Sequence, residues 1–396
     1  MASPDFQRLP GFRDFLPEEL AFRAHLFRAW RAVAVRYGFR EYDCTDPATI
    51  EIYTEKSGEE IVGQLYNFVD KGDRAVTLRP EMTPSLARIL GEHAPRMPKP
   101  VRWFSIPQLF RYERQQRGRL REHFQWNVDI VGEEGVTADA EVLAVAIDGL
   151  RALGLDSDDV RARVSDRRLL TAVLREGLGV AEDRLDAAFA VIDKVERMPE
   201  EARRAKVREE TGLDEAAADE LLELFGATPL EALEERFAEA PAVAEAAAPL
   251  REYLSLLEAM GLGDFVEVDL TIVRGLAYYT GIVFELFDAR GELRAICGGG
   301  RYDRLLELVG GDPLPAVGFG MGDVVLGELL AERELVPPYR PELDYFVVII
   351  GEEQRPAALR LAHRLRDAGR SVVYELRGRS VRKQFRAAES AGAAAT

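Results

Sequence analysis

The chain has 396 residues, of which 47% are hydrophobic, and a formal net charge of −17. This length predicts two or three domains, and the acidic balance excludes a protein that coats nucleic acid through a broad basic face, although a local basic patch could still bind one. Only Cys44 and Cys297 are cysteines, which excludes a disulfide framework and a cysteine-rich zinc site.

The N-terminal segment predicts a loop followed by a helix. It lacks the charged-then-apolar pattern of an export signal, and no apolar run approaches the length of a membrane span, so we expect a cytoplasmic protein. Glu18 and Glu19 favour a helix start and Gly38 favours its end. The apolar residues between them recur at helical spacing and predict a core helix: Phe22, Leu26, Trp30, Val33 and Tyr37.

The next distinctive segment is the phrase TLRPEMT at residues 77–83. It places an arginine and a glutamate inside an apolar stretch that a proline interrupts. By itself this pattern is typical of a loop whose charged side chains are satisfied by backbone groups.

Residues 101–132 predict two strands joined by a basic loop. Apolar residues precede the loop, and Val128 and Ile130 alternate with polar residues after it, which is the period of a half-buried strand. The loop arginines offer forked donors that suit phosphates and carboxylates, or they pair with Glu113 and Glu122 on a solvated hairpin. These cations are Arg111, Arg114, Arg117, Arg119 and Arg121.

The middle of the chain predicts helices. Residues 140–155 have the pattern of a buried helix that ends near Gly154, and residues 161–260 are rich in Ala, Glu, Leu and Arg with helical periodicity. We expect a small helical insertion there.

Strand-like patterns return at residues 265–273 and continue into the string RGLAYYTG at residues 274–281. A glycine run, CGGGRYD, follows at residues 297–303 and by itself is only a weak signal for a phosphate-binding loop. After a proline-stiffened linker, residues 345–388 predict a β-α-β-α unit with basic residues in its second half.

These strings together resemble the histidyl-tRNA synthetases, a family of class II aminoacyl-tRNA synthetases. Residues 110–129 resemble motif 2 of that class, and residues 274–281 resemble the histidine-specific signature, the most discriminating feature of the chain. Residues 11–18 resemble the opening signature, and the first helix with its following strand resembles motif 1, which forms a dimer interface. The end of the chain resembles part of an anticodon-binding domain.

The resemblance implies an α+β fold: a class II antiparallel sheet flanked by helices, with a helical insertion and a small C-terminal α/β domain that is incomplete or shortened, with an exposed sheet edge. The predicted parts are residues 1–160 and 261–335 for the two halves of the catalytic core, 161–260 for the insertion and 342–396 for the partial anticodon-binding-like domain.

The resemblance also implies an ATP site. Arg111 and Arg274 take the catalytic roles, holding the ATP α-phosphate and the amino-acid carboxylate, because an arginine stays charged at any working pH. Glu113 faces the adenine or the metal-bound phosphates, and His123 stacks on the adenine. ATP is expected as a substrate together with Mg²⁺.

The implied histidine site combines groups from both sides of the insertion. Glu81 and Thr83 hold the α-amino group with Gln125 nearby, while Asp129 and Tyr279 bond to the imidazole. The predicted histidine-binding residues are Glu81, Met82, Thr83, Arg111, Gln125, Asp129, Arg274, Tyr278 and Tyr279.

Several residues depart from the family pattern. Val325 stands where motif 3 of most class II enzymes has an arginine that holds the γ-phosphate, and His123 stands where the adenine platform is usually a phenylalanine. Ala277 replaces an aspartate of the histidine signature, Met82 varies the TLRPEMT phrase, and Thr45 replaces the proline of motif 1.

The resemblance therefore implies a histidine–tRNA ligase that activates histidine with ATP, charges tRNA(His) and forms a homodimer. An alternative is a paralogue that does not charge tRNA, similar to the regulatory subunit of ATP phosphoribosyltransferase, which senses histidine; Val325, Met82 and the short C-terminal domain favour it. A class II synthetase for another amino acid is disfavoured by the histidine-type strings on both sides of the insertion.

Overall fold

The computed structural model describes residues 7–54, 62–114, 116–195, 198–273, 279–291, 293–304, 306–339, 341 and 343–396. The chain divides into two compact units, Met1–Leu335 and Val336–Thr396. The sequence-based site lies in the larger unit.

Most described strands of the larger unit are short, and β7 (Glu122–Val131) is longer, with ten residues. They are β1 (Arg40–Glu41), β2 (Pro47–Thr49), β3 (Tyr66–Val69), β4 (Ala75–Leu78), β5 (Val101–Ser105), β6 (Gln108–Phe110), β7 (Glu122–Val131), β8 (Val160–Asp166), β9 (Val266–Val268), β10 (Ile282–Asp288), β11 (Cys297–Arg301) and β12 (Ala316–Gly322).

The helices of the larger unit flank this sheet or follow one another in the middle of the chain. They are α1 (Pro17–Arg36), α2 (Glu51–Thr54), α3 (Thr83–His93), α4 (Val136–Arg151), α5 (Arg167–Ala172), α6 (Leu185–Val195), α7 (Glu200–Thr211), α8 (Glu215–Glu223), α9 (Leu230–Arg236), α10 (Pro241–Ala259) and α11 (Asp323–Glu332).

The main sheet has the order β1-β5-β7-β12-β11-β10-β8-β9, and β6 pairs with β7 beside it. It is antiparallel except at its ends, where β1 pairs with β5 and β9 pairs with β8 in parallel. A separate three-stranded sheet has the order β2-β4-β3. The predicted α+β class is confirmed, with a sheet that is mixed at its edges instead of wholly antiparallel.

One face of the main sheet is covered by α1 and α4. Trp30 of α1 stacks on Trp126 of β7, with ring centroids 5.9 Å apart. Gly149 lets α4 approach closely, because a Cβ there would lie 2.4 Å from the Trp126 ring. Every second side chain of β7 is buried under these helices, so the alternate set, which includes Gln125 and Asp129, faces the other side of the sheet.

The helices α5 to α10 lie between β8 and β9 in the chain, as the predicted helical insertion requires. Its boundary differs from the expectation, because β8 pairs with β10 over Val160–Asp166 and belongs to the main sheet. The helical part therefore begins at Arg167. The strand expected over residues 265–273 is also shorter, because the Asp269 carboxylate accepts hydrogen bonds from the backbone N–H and the hydroxyl of Thr271, which turns the chain.

The smaller unit has the predicted β-α-β-α order: β13 (Tyr345–Val347), α12 (Arg355–Asp367), β14 (Val372–Tyr374) and α13 (Val381–Ser390). The two strands pair in parallel. Gln384 of α13 is buried and exchanges hydrogen bonds of 2.7 and 2.8 Å with the backbone of Ile349. The Phe346 N–H donates to the Ala395 carbonyl at 2.9 Å, so the last residues lie against the other edge of β13.

Candidate active site

Glycines form the floor of the site on the open face of the sheet. Gly318 and Gly320 of β12 lie beside Asp129 and Asn127 of β7. A Cβ on Gly318 would lie 2.3 Å from Asp129 Oδ1, and a Cβ on Gly320 would lie 2.7 Å from Gln125 Cδ. The missing side chains make room for the polar groups of β7 over the centre of the sheet.

A cavity of about 810 Å³ opens over one end of this floor. The β10–β11 hairpin, the start of α11 and the loop between β6 and β7 surround it. Its polar lining includes Arg111, Glu113, Arg119, His123, Glu285 and Arg294. Guanidinium groups with a few carboxylates suit a polyanionic ligand that carries a cation.

Arg111 joins the basic loop to the TLRPEMT phrase. Its Nε donates to the Pro80 carbonyl at 2.9 Å, and its backbone N–H donates to the Arg121 carbonyl at 3.0 Å. Glu81 follows Pro80 directly and is half-buried. The predicted catalytic arginine and the predicted ligand of the α-amino group are thus held close to each other.

Arg79, in the same phrase, is a structural residue whose role the sequence did not reveal. It is 3% exposed, forms ion pairs with Asp46 at 2.7 Å and Asp43 at 3.1 Å, and donates to the Cys44 carbonyl at 2.9 Å. It therefore fastens the segment after β1 to the segment that carries Glu81.

Met82 and Thr83 differ in position. Met82 is buried, and its sulfur lies 3.8 Å from Cys44 Sγ, so its side chain packs beneath the site. Thr83 is the first residue of α3 and is half-buried. Because the Met82 side chain is enclosed by protein, this packing does not support the predicted contact of Met82 with a ligand.

Asp129 lies further along the same face of β7, where its carboxyl is buried. The Tyr302 hydroxyl donates a hydrogen bond to Asp129 Oδ1, and the rings of Tyr302 and Tyr279 meet edge to face at 6.2 Å. Gly300 makes room for Tyr279, because a Cβ there would lie 2.9 Å from the Tyr279 ring. Tyr302 was not among the predicted site residues. The available signal in the sequence was its position two residues after the glycine run, next to Arg301.

Burial of the Asp129 carboxyl raises its pKa to about 7, and the hydrogen bond from Tyr302 acts in the opposite direction. The carboxyl is therefore able to carry a proton or a charge near neutral pH. Such a group can accept a hydrogen bond from a ligand N–H or donate one to a ligand nitrogen.

His123 lines the cavity and is partly buried. Burial, with smaller contributions from the positive charges of Arg111 and Arg13, lowers its pKa to about 3. The imidazole is therefore neutral at working pH and offers a flat ring. The next residue, Phe124, points to the other face, where its ring packs on Phe27 at 5.3 Å.

The N-terminal segment supports the start of β7 through Arg13. This arginine forms ion pairs with the buried carboxylates of Glu122 at 2.7 Å and Asp323 at 2.9 Å, and Asp323 accepts from the Phe124 N–H at 2.9 Å. The expected pairing of Glu122 with the loop arginines is wrong, because Arg13 takes this carboxylate.

The basic loop folds onto α11. Arg117 forms ion pairs with Glu328 and Glu332, the Gly118 N–H donates to Glu328 at 3.1 Å, and Arg119 pairs with Glu113 at 2.9 Å. Arg117 and Arg119 of the basic loop are thus ion-paired within the protein. The pairing of Glu113 with a loop arginine agrees with the interpretation of this segment as a solvated hairpin.

Arg274 and Tyr278, predicted to bind the substrate, lie outside the described residues, as does Ala277. Among the residues that are described, no group of three or more His, Cys, Asp or Glu side chains is arranged to hold a metal ion. None of the helices in that part of the chain is long and apolar enough to cross a membrane.

Comparison with protein families assigns both units. The family model described as histidyl-tRNA synthetase matches residues 11–322, and the model described as anticodon binding domain matches residues 344–396. The two matches cover the larger and the smaller unit respectively.

Known relatives agree with these matches. The histidine–tRNA ligase of Opitutus terrae is 46% identical over 390 residues, which are 98% of this chain and 89% of that protein. The crystal structure of histidyl-tRNA synthetase from Nostoc sp. PCC 7120 superposes with a TM-score of 0.83 at 24% identity, covering 98% of this chain and 90% of that one, which supports the fold. A Bacillus halodurans protein titled ATP phosphoribosyltransferase regulatory subunit/histidyl-tRNA synthetase superposes with a TM-score of 0.79 at 25% identity, covering 100% and 98%.

The arginine-lined cavity, the buried Asp129 carboxyl and the glycine floor thus occur in a chain that a single family model matches over most of its length, with a curated relative that is nearly half identical. The chain belongs to the histidyl-tRNA synthetase family.

Proposed function

We propose that the protein is a histidine–tRNA ligase. It joins histidine and ATP to form histidyl-adenylate and pyrophosphate, and then passes the histidyl group to the terminal ribose of tRNA(His). The observation that carries this proposal is the placement of two features along β7: a cavity lined by arginines and, further along the strand, the buried carboxyl of Asp129, whose pKa is raised to about 7. The arginines suit the phosphates of ATP, and the carboxyl suits an imidazole as a hydrogen-bonding partner.

Adenylation needs no side-chain nucleophile. A carboxylate oxygen of histidine attacks the α-phosphorus, the new P–O bond forms as the bond to the β-phosphate breaks, and pyrophosphate leaves. The protein contributes positioning and charge: Arg111, fixed through Pro80, holds the α-phosphate and the carboxylate, and Arg274 shares this role.

Selectivity for histidine comes from Asp129. The imidazole has an N–H donor and a ring nitrogen acceptor, and the Asp129 carboxyl can meet either one because its pKa lies near 7. A substrate without such a group would leave the buried carboxyl unpaired, which disfavours its binding. Tyr302 holds the carboxyl in place from the far side.

The donor set of the cavity fits a Mg²⁺ ion that arrives with ATP. Glu113 and Glu285 line the cavity and would supply carboxylate oxygens, which Mg²⁺ prefers, and the nucleotide phosphates would supply the remaining ligands. Bound there, the ion would neutralise part of the phosphate charge.

tRNA(His) is the proposed second substrate, a homodimer the proposed assembly and the cytoplasm the proposed compartment. The match of residues 344–396 to an anticodon binding domain supports the tRNA partner. The predicted motif 1 helix and strand are present as α1 and β1, which supports a dimer interface of the family type. The histidine-sensing alternative is not favoured, because the curated relative at 46% identity is named a ligase.

The test is exchange of radioactive pyrophosphate into ATP by the purified protein, with and without histidine. We expect exchange that requires histidine and that Arg111→Ala lowers by about a hundredfold or more, because a fixed cation facing the reacting phosphate is lost. Arg117→Ala is the matched control, since Arg117 pairs with Glu328 and Glu332 on the outer side of the loop. Exchange without histidine, or no exchange in a protein that binds histidine, would contradict the proposal.

A further inference from the structure

Arg294 is a cavity residue to which the family pattern assigns no role. It lies between β10 and β11, is exposed, and lines the cavity with Arg111 and Arg119. The inference drawn from it rests on the proposed function, because it concerns how ATP is held in that cavity.

The position on α11 where related enzymes carry a phosphate-binding arginine is apolar in this chain. Val325 is 8% exposed and packs against the basic loop, since a Cβ on Gly118 would lie 3.1 Å from Val325 Cγ2. A valine offers no donor to a phosphate. The negative charge at that end of ATP therefore needs another partner.

Arg294 borders the same point of the loop. The Cβ position on Gly118 that is 3.1 Å from Val325 is 3.8 Å from Arg294 Cδ. The Arg294 guanidinium also donates to Gln116 Oε1 at 2.7 Å. The methylene groups of Arg294 lie close to Val325, and its guanidinium lies beside the basic loop. The Arg294 guanidinium is therefore on the side of the cavity where residue 325 of α11 provides no positive charge.

One contact of Arg294 is with an acceptor that a ligand can replace. Its guanidinium donates to the neutral side chain of Gln116, and a phosphate oxygen can take the place of that amide oxygen with a gain in charge complementarity. The long side chain at an exposed position can follow the ligand.

We propose that Arg294 binds the β- and γ-phosphates of ATP and takes the place of the arginine absent at Val325. During adenylation the histidine carboxylate oxygen bonds to the α-phosphorus, and the bond from that phosphorus to the bridging oxygen of the β-phosphate breaks. The electron pair leaves with pyrophosphate. Arg294 donates hydrogen bonds to the departing oxygens throughout and neither gains nor loses a proton.

The experiment compares the binding of ATP and of AMP, each with Mg²⁺, to the full chain by calorimetry. We expect Arg294→Ala to weaken ATP binding about tenfold or more and to leave AMP binding within about twofold, because AMP lacks the two phosphates that Arg294 contacts. Arg294→Lys, which keeps a charge without the fork, should lie between. Arg290→Ala, which removes an exposed arginine from the same hairpin outside the cavity lining, is the control and should match the wild type.

A second experiment tests whether a guanidinium at residue 325 can replace the one at residue 294. Val325→Arg in the Arg294→Ala background should recover at least part of the ATP affinity, because it restores a guanidinium on α11. Equal losses for ATP and AMP, or an unchanged ATP affinity in Arg294→Ala, would overturn the assignment. If the wild type exchanges pyrophosphate but Arg294→Ala gives either of those results, only the assignment of Arg294 fails; if the wild type does not bind ATP, the proposed function fails with it.

Discussion

Burial decides what individual charged residues do in this site. Arg79 and Asp129 are both buried, but Arg79 is surrounded by Asp43, Asp46 and a carbonyl, so it holds two segments together. Asp129 meets a single tyrosine hydroxyl and no cation among the partners described for it, and burial raises its pKa to about 7. A buried charge with full pairing is structural, whereas one whose pairing a ligand must complete can select that ligand.

The raised pKa of Asp129 predicts a pH-dependent stability. The ordinary value is 3.8 and the folded value is about 7. The folded state therefore keeps a proton that the unfolded chain loses, and the free energy of unfolding falls as pH rises from about 4 to about 7. Asp129→Asn should remove a fall of a few kcal/mol over this interval in urea titrations at several pH values.

Tyr302→Phe is the companion variant. It removes the hydrogen bond that favours the carboxylate, so the fall in stability should continue to higher pH. Identical pH slopes in the wild type and Asp129→Asn would show that Asp129 does not titrate in this range.

At the scale of elements, the site depends on a strand with small residues on its open face. In β12, Gly318 and Gly320 face the open side of the sheet, while the buried residues Phe319 and Met321 pack on the other. A Cβ on Gly318 would meet the Asp129 and Tyr302 side chains and a backbone carbonyl. Gly318 and Gly320 do not have positive φ angles, so their role here is to let neighbouring side chains approach the strand closely.

Gly318→Ala should therefore disturb the proposed histidine site around Asp129 and Tyr302. A Cβ would lie 2.3 Å from Asp129 Oδ1, 2.5 Å from the Tyr302 hydroxyl and 2.6 Å from the Val128 carbonyl, and the backbone contact cannot rotate away. We expect a loss of stability of about 1–3 kcal/mol and a KM for histidine raised at least tenfold, measured by thermal unfolding and pyrophosphate exchange.

Gly322→Ala is the matched control on the same strand. No atom lies within 4 Å of its added Cβ, and its φ of −85° suits alanine. A similar loss in both variants would mean that the floor does not act through Asp129 and Tyr302.

At the scale of the whole molecule, a net charge of −17 confines any tRNA contact to local cations. In the smaller unit, Arg382, Lys383 and Arg386 are exposed on α13, which lies within the matched anticodon binding domain. Cations that neutralise phosphates give a binding that weakens as salt rises.

Replacing Arg382, Lys383 and Arg386 by alanine should thus raise the KM for tRNA about tenfold and reduce its salt dependence. Pyrophosphate exchange should stay within about twofold, because adenylation needs no tRNA. Arg360→Ala, an exposed cation on α12, is the control for charge alone. Equal charging kinetics in the triple variant and the wild type would place the tRNA contacts elsewhere.

The sequence by itself determined the family, the α+β class, the helical insertion and the order of elements in the smaller unit. These follow from strings of residues and from periodicity, which are local properties of the chain. Arg111 and Asp129 were predicted as site residues in this way, because the strings name them.

The tertiary structure alone decided which charges are paired. Glu122 pairs with Arg13 from 109 residues away, Asp129 with Tyr302 from 173 residues away, and Val325 meets Gly118 of a loop two hundred residues earlier in the chain. Strand β8 likewise joined the main sheet because β10, far along the chain, offers it a pairing edge. Such partners are set by the packing of distant segments, and no local pattern encodes them.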